Sequence, residues 1–285
     1  MKKITIILLA FVCLTHTYAQ ERELVQRTFK STRVINTHSV ETLQKNKLDF
    51  RVGHRFGDLA GDAGGWATFY GLENASDVLI GFQYGITDRL TAVLTRTKGA
   101  GPHRAIVNAQ LKYRALWQND EMPVSVTLLA GTGFSTMQAS ENPEALNRFK
   151  KYSHRFSYVY QAHIARKFND RFSLQITPSY IHRNITAFDI DNDIFSIGAA
   201  ARVQLSKVYA ILVDVTAPFS EQHSNGDFTL PVGFGLEIDT GGHIFQINLT
   251  NAQGMAETDY IPYTNALWAE GQFRLGFTIS RLFNL

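Results

Sequence analysis

Residues 273–283 read Phe-Arg-Leu-Gly-Phe-Thr-Ile-Ser-Arg-Leu-Phe, close to the end of a chain of 285 residues. Successive side chains of a β-strand point to opposite faces, so this stretch separates into two columns. One column is apolar and consists of Phe273, Leu275, Phe277, Ile279 and Phe283. The other column is polar or small and consists of Gln272, Arg274, Gly276, Thr278 and Ser280. The alternation predicts a strand with one apolar face and one polar face.

The same alternation recurs along the rest of the chain, whereas helical periodicity is nearly absent. Working back from the final segment, we predict twelve strands. Their approximate ranges are 47–56, 77–86, 89–97, 104–117, 124–134, 156–167, 172–180, 195–204, 207–217, 230–239, 243–250 and 272–283.

A soluble β-sandwich also alternates in this way, with apolar residues inward and polar residues outward. Two features favour a membrane barrel instead. The polar columns are rich in Gly, Ser, Thr, Gln and Arg, as a packed or wet lumen would be. Aromatic residues also cluster near the strand ends, as in the girdles of outer-membrane barrels. These residues are Phe56, Tyr84, Trp117, Phe134, Tyr158, Phe172, Tyr180, Tyr209 and Phe283.

The lengths of the connections support the barrel independently, because bacterial barrels have short periplasmic turns and longer outer loops. Short turns are predicted near 87–88, 119–123, 169–170, 206–207 and 239–242. They strictly alternate with longer connections at 57–76, 98–103, 135–154, 184–192, 218–228 and 251–269. We therefore predict an all-β fold, a single transmembrane antiparallel up-and-down β-barrel of about 12 strands over residues 47–285. Both ends of the barrel are expected in the periplasm.

The first residues have the three parts of a secretory signal. Lys2 and Lys3 precede a short apolar run, and Thr17-Tyr18-Ala19 places small residues at the cleavage positions. This pattern predicts a signal peptide at residues 1–19. Residues 20–46 then precede the first strand, and they either lie in the periplasm or fold into the lumen. The sequence leaves both arrangements open.

Removal of the signal peptide leaves the chain almost neutral and without a thiol. The only cysteine, Cys13, lies within the signal peptide, and Val12 before it disfavours a lipid-attachment signal. Cleavage removes two of the 28 basic residues and leaves 26 against 25 acidic ones. A nucleic-acid binder usually carries a marked basic excess, so no nucleic-acid partner is expected. We expect a protein of the cell outer membrane, in contact with its lipids and lipopolysaccharide.

Several strings of residues resemble a family of Bacteroidota outer-membrane proteins that is described only as a membrane-bound β-barrel domain of unknown function. The strings are Thr28 to Thr42, His54-Arg55-Phe56-Gly57, Gly71-Leu72-Glu73-Asn74, Tyr84-Gly85-Ile86-Thr87 and Lys112-Tyr113. The resemblance covers most of the mature chain and implies placement in the outer membrane. It brings no substrate and no catalytic residues. The near-terminal Phe283 is also similar to the signal that the barrel-assembly machinery reads during insertion.

The polar columns supply a candidate functional surface inside the barrel, and this surface is more basic than acidic. Ten residues are assigned to the lumen, namely Arg51, Arg55, Arg104, Lys112, Arg114, Lys167, Arg202, Asp214, Glu237 and Arg274. One interpretation is an anion-leaning pore. The other, which is favoured, is an internal network of ion pairs and hydrogen bonds that fills the barrel. Buried charges must be paired, and a small barrel has little spare room.

A short motif in the predicted loop 218–228 superficially resembles a catalytic site. Outer-membrane lipid hydrolases use a His and a Ser two residues apart on one strand column, so that the His activates the Ser. Here His223 and Ser224 are adjacent, and adjacent strand residues point to opposite faces. We therefore predict no enzymatic activity.

Three aspartates at alternate positions, Asp189, Asp191 and Asp193, have spacing that suits the oxygen ligands of Ca²⁺. However, Ile194 and Ala200 stand where an EF-hand loop needs Gly and Glu. The run is interpreted as a solvated acidic loop. No metal site and no cofactor are predicted.

Two functions remain after these exclusions. The first is a small pore or transporter for a small solute, which the basic lumen suggests is anionic. The second is a non-transporting barrel that serves as a structural or partner-binding subunit, together with another envelope protein. Occupancy of the lumen decides between them, because twelve strands permit either.

Overall fold

The computed structural model describes residues 24–285, and residues 47–284 form a closed barrel of twelve antiparallel strands. Each strand pairs with its neighbours in sequence, and β1 closes the barrel by pairing with β12. The strands are β1 (Lys47–Phe56), β2 (Ala75–Gly85), β3 (Leu90–Lys98), β4 (Ala105–Leu116), β5 (Ser125–Ser135), β6 (Phe156–Lys167), β7 (Phe172–Arg183), β8 (Asp193–Gln204), β9 (Tyr209–Phe219), β10 (Val232–Asp239), β11 (His243–Thr250) and β12 (Arg274–Asn284). The predicted fold class and strand number are confirmed. The predicted signal peptide at 1–19 lies outside the described residues.

The two columns of each strand differ in exposure, and the polar column is the buried one. In β4, Lys112 and Arg114 are almost completely buried, whereas the alternate residues Leu111 and Tyr113 are about half exposed. A soluble sandwich would bury the apolar column instead. The sheet is therefore inside out relative to a soluble protein, with polar residues in the lumen and apolar residues toward lipid.

Turns at one end and loops at the other alternate around the barrel, but not every turn is shorter than every loop, because the turn 117–124 has eight residues and the loop 99–104 has six. The turns are 86–89, 117–124, 168–171, 205–208 and 240–242, and they lie at the end where β1 begins and β12 ends. The six long loops are L1 (57–74), L2 (99–104), L3 (136–155), L4 (184–192), L5 (220–231) and L6 (251–273). By the usual arrangement of bacterial barrels, the short-turn end is periplasmic and the long-loop end faces outward.

Within residues 24–285, helices occur only in the long loops. The two α-helices are α1 (Glu221–Ser224) in L5 and α2 (Glu257–Tyr263) in L6. Single 3₁₀ turns lie at Trp66–Thr68, Leu146–Arg148, Tyr152–Arg155 and Trp268–Glu270. None of the helices in this part of the chain has the length and apolarity to cross a membrane. Residues 257–262 of α2 are buried, which marks L6 as a loop that enters the barrel.

Candidate functional site

The candidate functional site is the lumen, and its first occupant is the segment 24–46, which we call the plug. The plug begins at the short-turn end, where the Val25 amide donates to the Gln118 carbonyl at 2.9 Å. It rises into the barrel, reverses at a tight turn bridged by Arg33 and His38, and returns to β1. Residues 28–41 of the plug are almost all buried. Of the two arrangements that the sequence left open, the structure shows the one inside the lumen.

The tip of the plug is held by one carboxylate of the wall, Asp214 of β9. Its oxygens accept hydrogen bonds from the main-chain amide of Asn36 at 2.6 Å, the side-chain amide of Asn36 at 2.8 Å and the main-chain amide of Thr37 at 3.1 Å. Asp214 and both donors are buried. A buried carboxylate that accepts several amide hydrogen bonds is a strong, directional anchor.

Two cations of β4 hold the returning arm of the plug. The Lys112 ammonium donates to the carbonyls of Ser39 at 2.9 Å and Glu41 at 2.6 Å. Arg114 donates to the Glu41 carboxylate at 3.2 Å. That carboxylate also accepts from the amides of Thr28 and Phe29 at 2.9 and 3.2 Å, so it ties the two arms of the plug together.

The rising arm of the plug meets β1 and β2. Arg51 donates to the hydroxyls of Ser31 at 2.8 Å and Thr32 at 3.1 Å, and it pairs with Asp49 at 3.3 Å. Gln83 donates to the Thr32 hydroxyl at 2.8 Å. The plug is therefore bonded to the charged side of the wall along most of its length.

The opposite side of the plug is apolar. Phe29, Val34, Ile35 and Val40 form one buried cluster with the wall residues Ala165, Ala200 and Leu212. The inward column of β10 makes room for this cluster, because a Cβ built on Gly233 would lie 2.9 Å from an Ile35 methyl group and 2.6 Å from an Asp214 oxygen. Polar contacts on one side and apolar packing on the other together define the position of the plug.

L6 fills the lumen from the long-loop end. The Met255 amide donates to Asp77 of β2 at 2.8 Å, and Arg55 of β1 donates to the carbonyls of Ala252, at 3.2 Å, and Gly254. Behind these contacts, L6 has its own apolar cluster with the wall. The cluster contains Ala252, Tyr260 and Ile261 of L6 with Leu129, Val159, Ile181 and Ile194 of β5 to β8.

The plug and L6 meet in the middle of the barrel at Glu257. Arg33 of the plug donates to this carboxylate at 2.7 Å and to the Met255 carbonyl at 3.1 Å. His38 lies 3.5 Å from the same carboxylate, but burial and then the charge of Arg33 hold its pKa well below the ordinary value, so the imidazole is neutral. Arg55 donates to the side chain of Asn36 at 2.8 Å. The plug and L6 therefore belong to one continuous network of hydrogen bonds.

The charges of the barrel wall complement those of the plug and L6. The buried charged residues of the strands are seven bases, Arg51, Arg55, Lys112, Arg114, Arg183, Arg202 and Arg274, and four acids, Asp49, Asp77, Asp214 and Glu237. The buried charged residues of the plug and L6 are one base, Arg33, and three acids, Glu41, Glu257 and Asp259. The wall has a surplus of positive charge, and the segments that fill it carry most of the compensating negative charge.

Eight of the ten residues that the sequence assigns to the lumen are buried inside the barrel. Besides those described above, Arg202 pairs with Glu237 at 2.8 Å, and Arg274 donates to the Asn251 carbonyl at 3.2 Å. The other two differ from the expectation. Arg104 is exposed in L2, because β4 begins one residue later, and Lys167 ends β6 and pairs with Asp170 in a turn at 2.9 Å.

Sequence reasoning missed several residues of the site. Asp77 is the first residue of the predicted strand 77–86 and has the inward parity of β2, but it was not assigned to the lumen. Arg183 has the inward parity of β7 and lies beyond the predicted strand end at 180. Arg33, Glu41 and Glu257 lie outside every strand and carried no parity signal. Glycines in the inward columns could have indicated where another segment packs closely against the barrel wall. Gly85 has the Gln44 carbonyl where a Cβ would stand, at 2.0 Å.

One volume at the short-turn end is left open by the plug. A cavity of about 850 Å³ lies there between the plug and the barrel rim. Trp117 lies in its wall, with the guanidinium groups of Arg89 and Arg114 at 5.0 and 5.2 Å from the ring centre. Lys30 of the plug pairs with Asp239 across the same rim at 3.2 Å. This vestibule gives the periplasmic side access to the base of the plug.

The two other sequence motifs, His223-Ser224 and the aspartate run that ends at Asp193, make local contacts. His223 Nδ1 lies 2.7 Å from the hydroxyl of Ser220, which caps α1 and accepts from the His223 amide at 3.4 Å. Asp193 accepts from the Tyr180 hydroxyl at 2.5 Å and lies 2.7 Å from His182. Among residues 24–285, no group of three or more His, Cys, Asp or Glu residues is placed to hold a metal ion.

Comparison with known proteins supports the fold and the placement. A family model described as "Membrane bound beta barrel domain (DUF5777)" matches residues 29–283. The solved NanC porin is similar over 84% of this chain and 100% of its own, with 12% identity and a TM-score of 0.51. The KdgM porin is similar over 83% and 99%, with 7% identity and a TM-score of 0.51. The COG4313 outer membrane channel from Pseudomonas putida F1 is similar over 87% and 100%, with 15% identity and a TM-score of 0.50. No curated protein matches the sequence.

Proposed function

The chain belongs to the family of membrane-bound β-barrel domains (DUF5777) and is an outer-membrane protein with a porin-like fold, and from this premise we propose that it is a gated channel for small anionic solutes. The observation that carries the proposal is the charge complementarity between the basic wall and the acidic segments that fill the lumen. Under this proposal, the conformation described above is the closed state.

The side chains that hold the plug and L6 in the lumen are of the types that also bind anions. Lys112 and Arg55 contact main-chain carbonyls, and Arg114 contacts the Glu41 carboxylate. A guanidinium or ammonium group binds the carboxylate or phosphate of a solute with the same geometry. An anionic solute can therefore take over these contacts one at a time.

The closed state also explains why an anion would favour opening. Removing one partner of a buried ion pair costs about 3–5 kcal/mol, because the other charge stays buried and unpaired. If the plug and L6 withdrew without replacement, Lys112, Arg55 and Arg114 would lose their partners together. Solute anions entering with water would compensate these charges, and cations would not. We therefore expect the open barrel to be anion selective.

The alternative function is a non-transporting barrel that acts as a structural or partner-binding subunit of an envelope complex. This alternative is favoured by the occupied lumen. The plug and L6 enter from opposite ends, and both have apolar clusters with the wall as well as polar contacts. Under this alternative, the plug and L6 are permanent parts of the core. The two functions differ in whether the barrel conducts when the plug is removed.

The test is ion conductance across planar lipid bilayers, with the mature chain compared with a variant that lacks residues 24–44. We expect rare or small openings for the mature chain and stable openings for the deletion variant. The reversal potential in a salt gradient should report anion selectivity. A shortened L3 is the matched control, since L3 contributes no buried charge to the lumen. A deletion variant that folds as a heat-resistant barrel but stays silent, even when L6 is shortened as well, would favour the subunit function.

Three further expectations accompany this function. The chain acts without catalysis, in keeping with the channels and porins among its structural relatives. It is inserted by the barrel-assembly machinery through the strand that ends near Phe283. Its relatives are expected among Bacteroidota envelope proteins, where an associated envelope protein is a candidate partner.

A further inference from the structure

The outer face of the barrel has a hollow on β2 to β6, which we call the lipid-facing groove. Its volume is about 650 Å³, and nearly all of its lining is apolar. The floor contains Ala92, Ala109 and Ala130 on three successive strands. The walls contain Phe82 and Tyr84 on one side and Tyr158 and Tyr160 on the other.

The strand register explains the hollow. Ala92 pairs with Tyr84, Ala109 pairs with Leu94, and Ala130 pairs with Tyr160. Each alanine therefore stands beside a large side chain of the neighbouring strand, and the three small residues lie in adjacent rows. Where a methyl group adjoins large side chains, the surface is recessed by most of the length of a side chain. The recess has the size of a small-molecule site.

Two basic residues lie directly above this groove on the same outward column. Arg96 and Lys98 follow Leu94 at two-residue steps along β3, toward the long-loop end, and both are exposed. One step of this kind is about 7 Å. Arg96 donates to the Thr136 hydroxyl at 3.2 Å, which directs its guanidinium across β4 toward the start of L3, on the long-loop side of the groove. A cation on a lipid-facing column is tolerated near the interface, where lipid phosphates lie.

The long loops above the groove are basic, and the other long loops are acidic. L2 and L3, which adjoin the upper end of the groove, contain all of the Lys and Arg residues of the six loops. These residues are Arg104, Arg148, Lys150, Lys151 and Arg155. L1, L4, L5 and L6 contain acidic residues but no Lys or Arg. The sector above the groove is thus the basic side of an otherwise acidic outer rim.

We propose that the lipid-facing groove and its basic rim form a binding site for a phosphorylated, multiply acylated glycolipid of the outer leaflet. One acyl chain occupies the hollow over Ala92, Ala109 and Ala130. The phosphate group lies against Arg96 and Lys98, and the sugar headgroup lies beneath L2 and L3. The apolar groove and the basic rim are adjacent along the bilayer normal, as the acyl chain and the phosphate of such a lipid are.

Native mass spectrometry of the detergent-purified mature barrel tests this site, with diphosphorylated lipid A as the added probe. We expect one tightly retained lipid A per barrel. Each cation near a membrane surface contributes about fivefold to such binding, so Arg96→Gln should weaken retention about fivefold and the double variant with Lys98→Gln about thirtyfold. Arg166→Gln is the matched control, since Arg166 is exposed on the outward column of β6 near the short-turn end.

The groove itself is tested by filling it. Ala109→Phe should reduce lipid A retention, whereas Ala199→Phe on the outward column of β8 should not, because Ala199 lies outside the groove. Equal loss in the two phenylalanine variants, or no loss in the Arg96 and Lys98 variants, would overturn the proposal. Equal retention of unphosphorylated lipid or of phosphatidylethanolamine would overturn it as well. A barrel dimer that Ala109→Phe dissociates would identify a second copy of the chain as the occupant instead.

Discussion

The plug and L6 occupy the same lumen from opposite ends, but their buried carboxylates are placed very differently. Glu41 of the plug is surrounded by donors, namely two main-chain amides and Arg114. Asp259 of L6 is buried near two other carboxylates, and its pKa is raised well above the ordinary value by burial, then by Asp77 and Glu257, against the opposing effect of Arg183. The Glu41 carboxylate is thus compensated by its donors, whereas Asp259 belongs to a cluster of buried acids with Asp77 and Glu257. We infer that L6 is the more easily released of the two.

The largest effect is expected from removing the anchor of the plug tip. Asp214→Leu leaves the amides of Asn36 and Thr37 buried without an acceptor and removes a charge that faces Arg55, at a cost of about 3–5 kcal/mol. Hydrogen exchange should then accelerate in residues 34–40 much more than in residues 256–262. Equal acceleration in the two segments would mean that the plug and L6 are released as one unit.

A slightly smaller effect is expected from breaking the contact between the plug and L6. Arg33→Met removes the ion pair with Glu257 and leaves that carboxylate with the Gln110 amide at 3.1 Å and the His38 ring at 3.5 Å. The loss of a buried pair costs about 3 kcal/mol, and it should fall on L6, because Glu257 is the unpaired partner that remains. Hydrogen exchange in α2 should increase, with residues 34–40 less affected. A variant in which only the plug loosens would reverse our ranking of the two segments.

The pH should act on L6 through Asp259. The pKa of Asp259 is raised in the folded state from its ordinary value of 3.8, so docking of L6 is most stable below that value and weakens as the pH rises through the raised pKa. In planar bilayers, we expect openings to become more frequent from acid toward neutral pH. Asp259→Asn removes the titrating group and should flatten this dependence. An unchanged pH profile in that variant would exclude Asp259 as its origin.

The smallest effect is expected outside the lumen. Lys167 pairs with the fully exposed Asp170 in a turn, and water and salt screen such an exposed pair. Lys167→Gln should change neither hydrogen exchange in the plug nor the conductance, and its melting temperature should stay close to that of the parent chain. A marked change in conductance would show that the short-turn end of the barrel, and not only the mid-lumen, controls passage.

A large part of the barrel could be predicted from the sequence because its signal is local. The alternation in β4 and β12, for example, follows from the opposite environments of successive side chains. The inward parity assigned Arg51, Lys112 and Asp214 to the lumen, and the structure buries all three. It failed for Arg104, where the strand begins one residue later than predicted, because alternation does not specify where a strand ends.

The sequence by itself determined the outer-membrane placement, the twelve strands and the basic character of the lumen, because each of these depends on residue type and short spacing. Only the tertiary structure decided what fills that lumen. The contacts of Asn36 with Asp214 and of Arg33 with Glu257 join residues that are 178 and 224 positions apart. Such contacts require the closed barrel, which brings the plug and L6 into one enclosed volume, so no local pattern encodes them. The groove over Ala109 has the same origin, since its depth depends on which residues the register places beside each alanine.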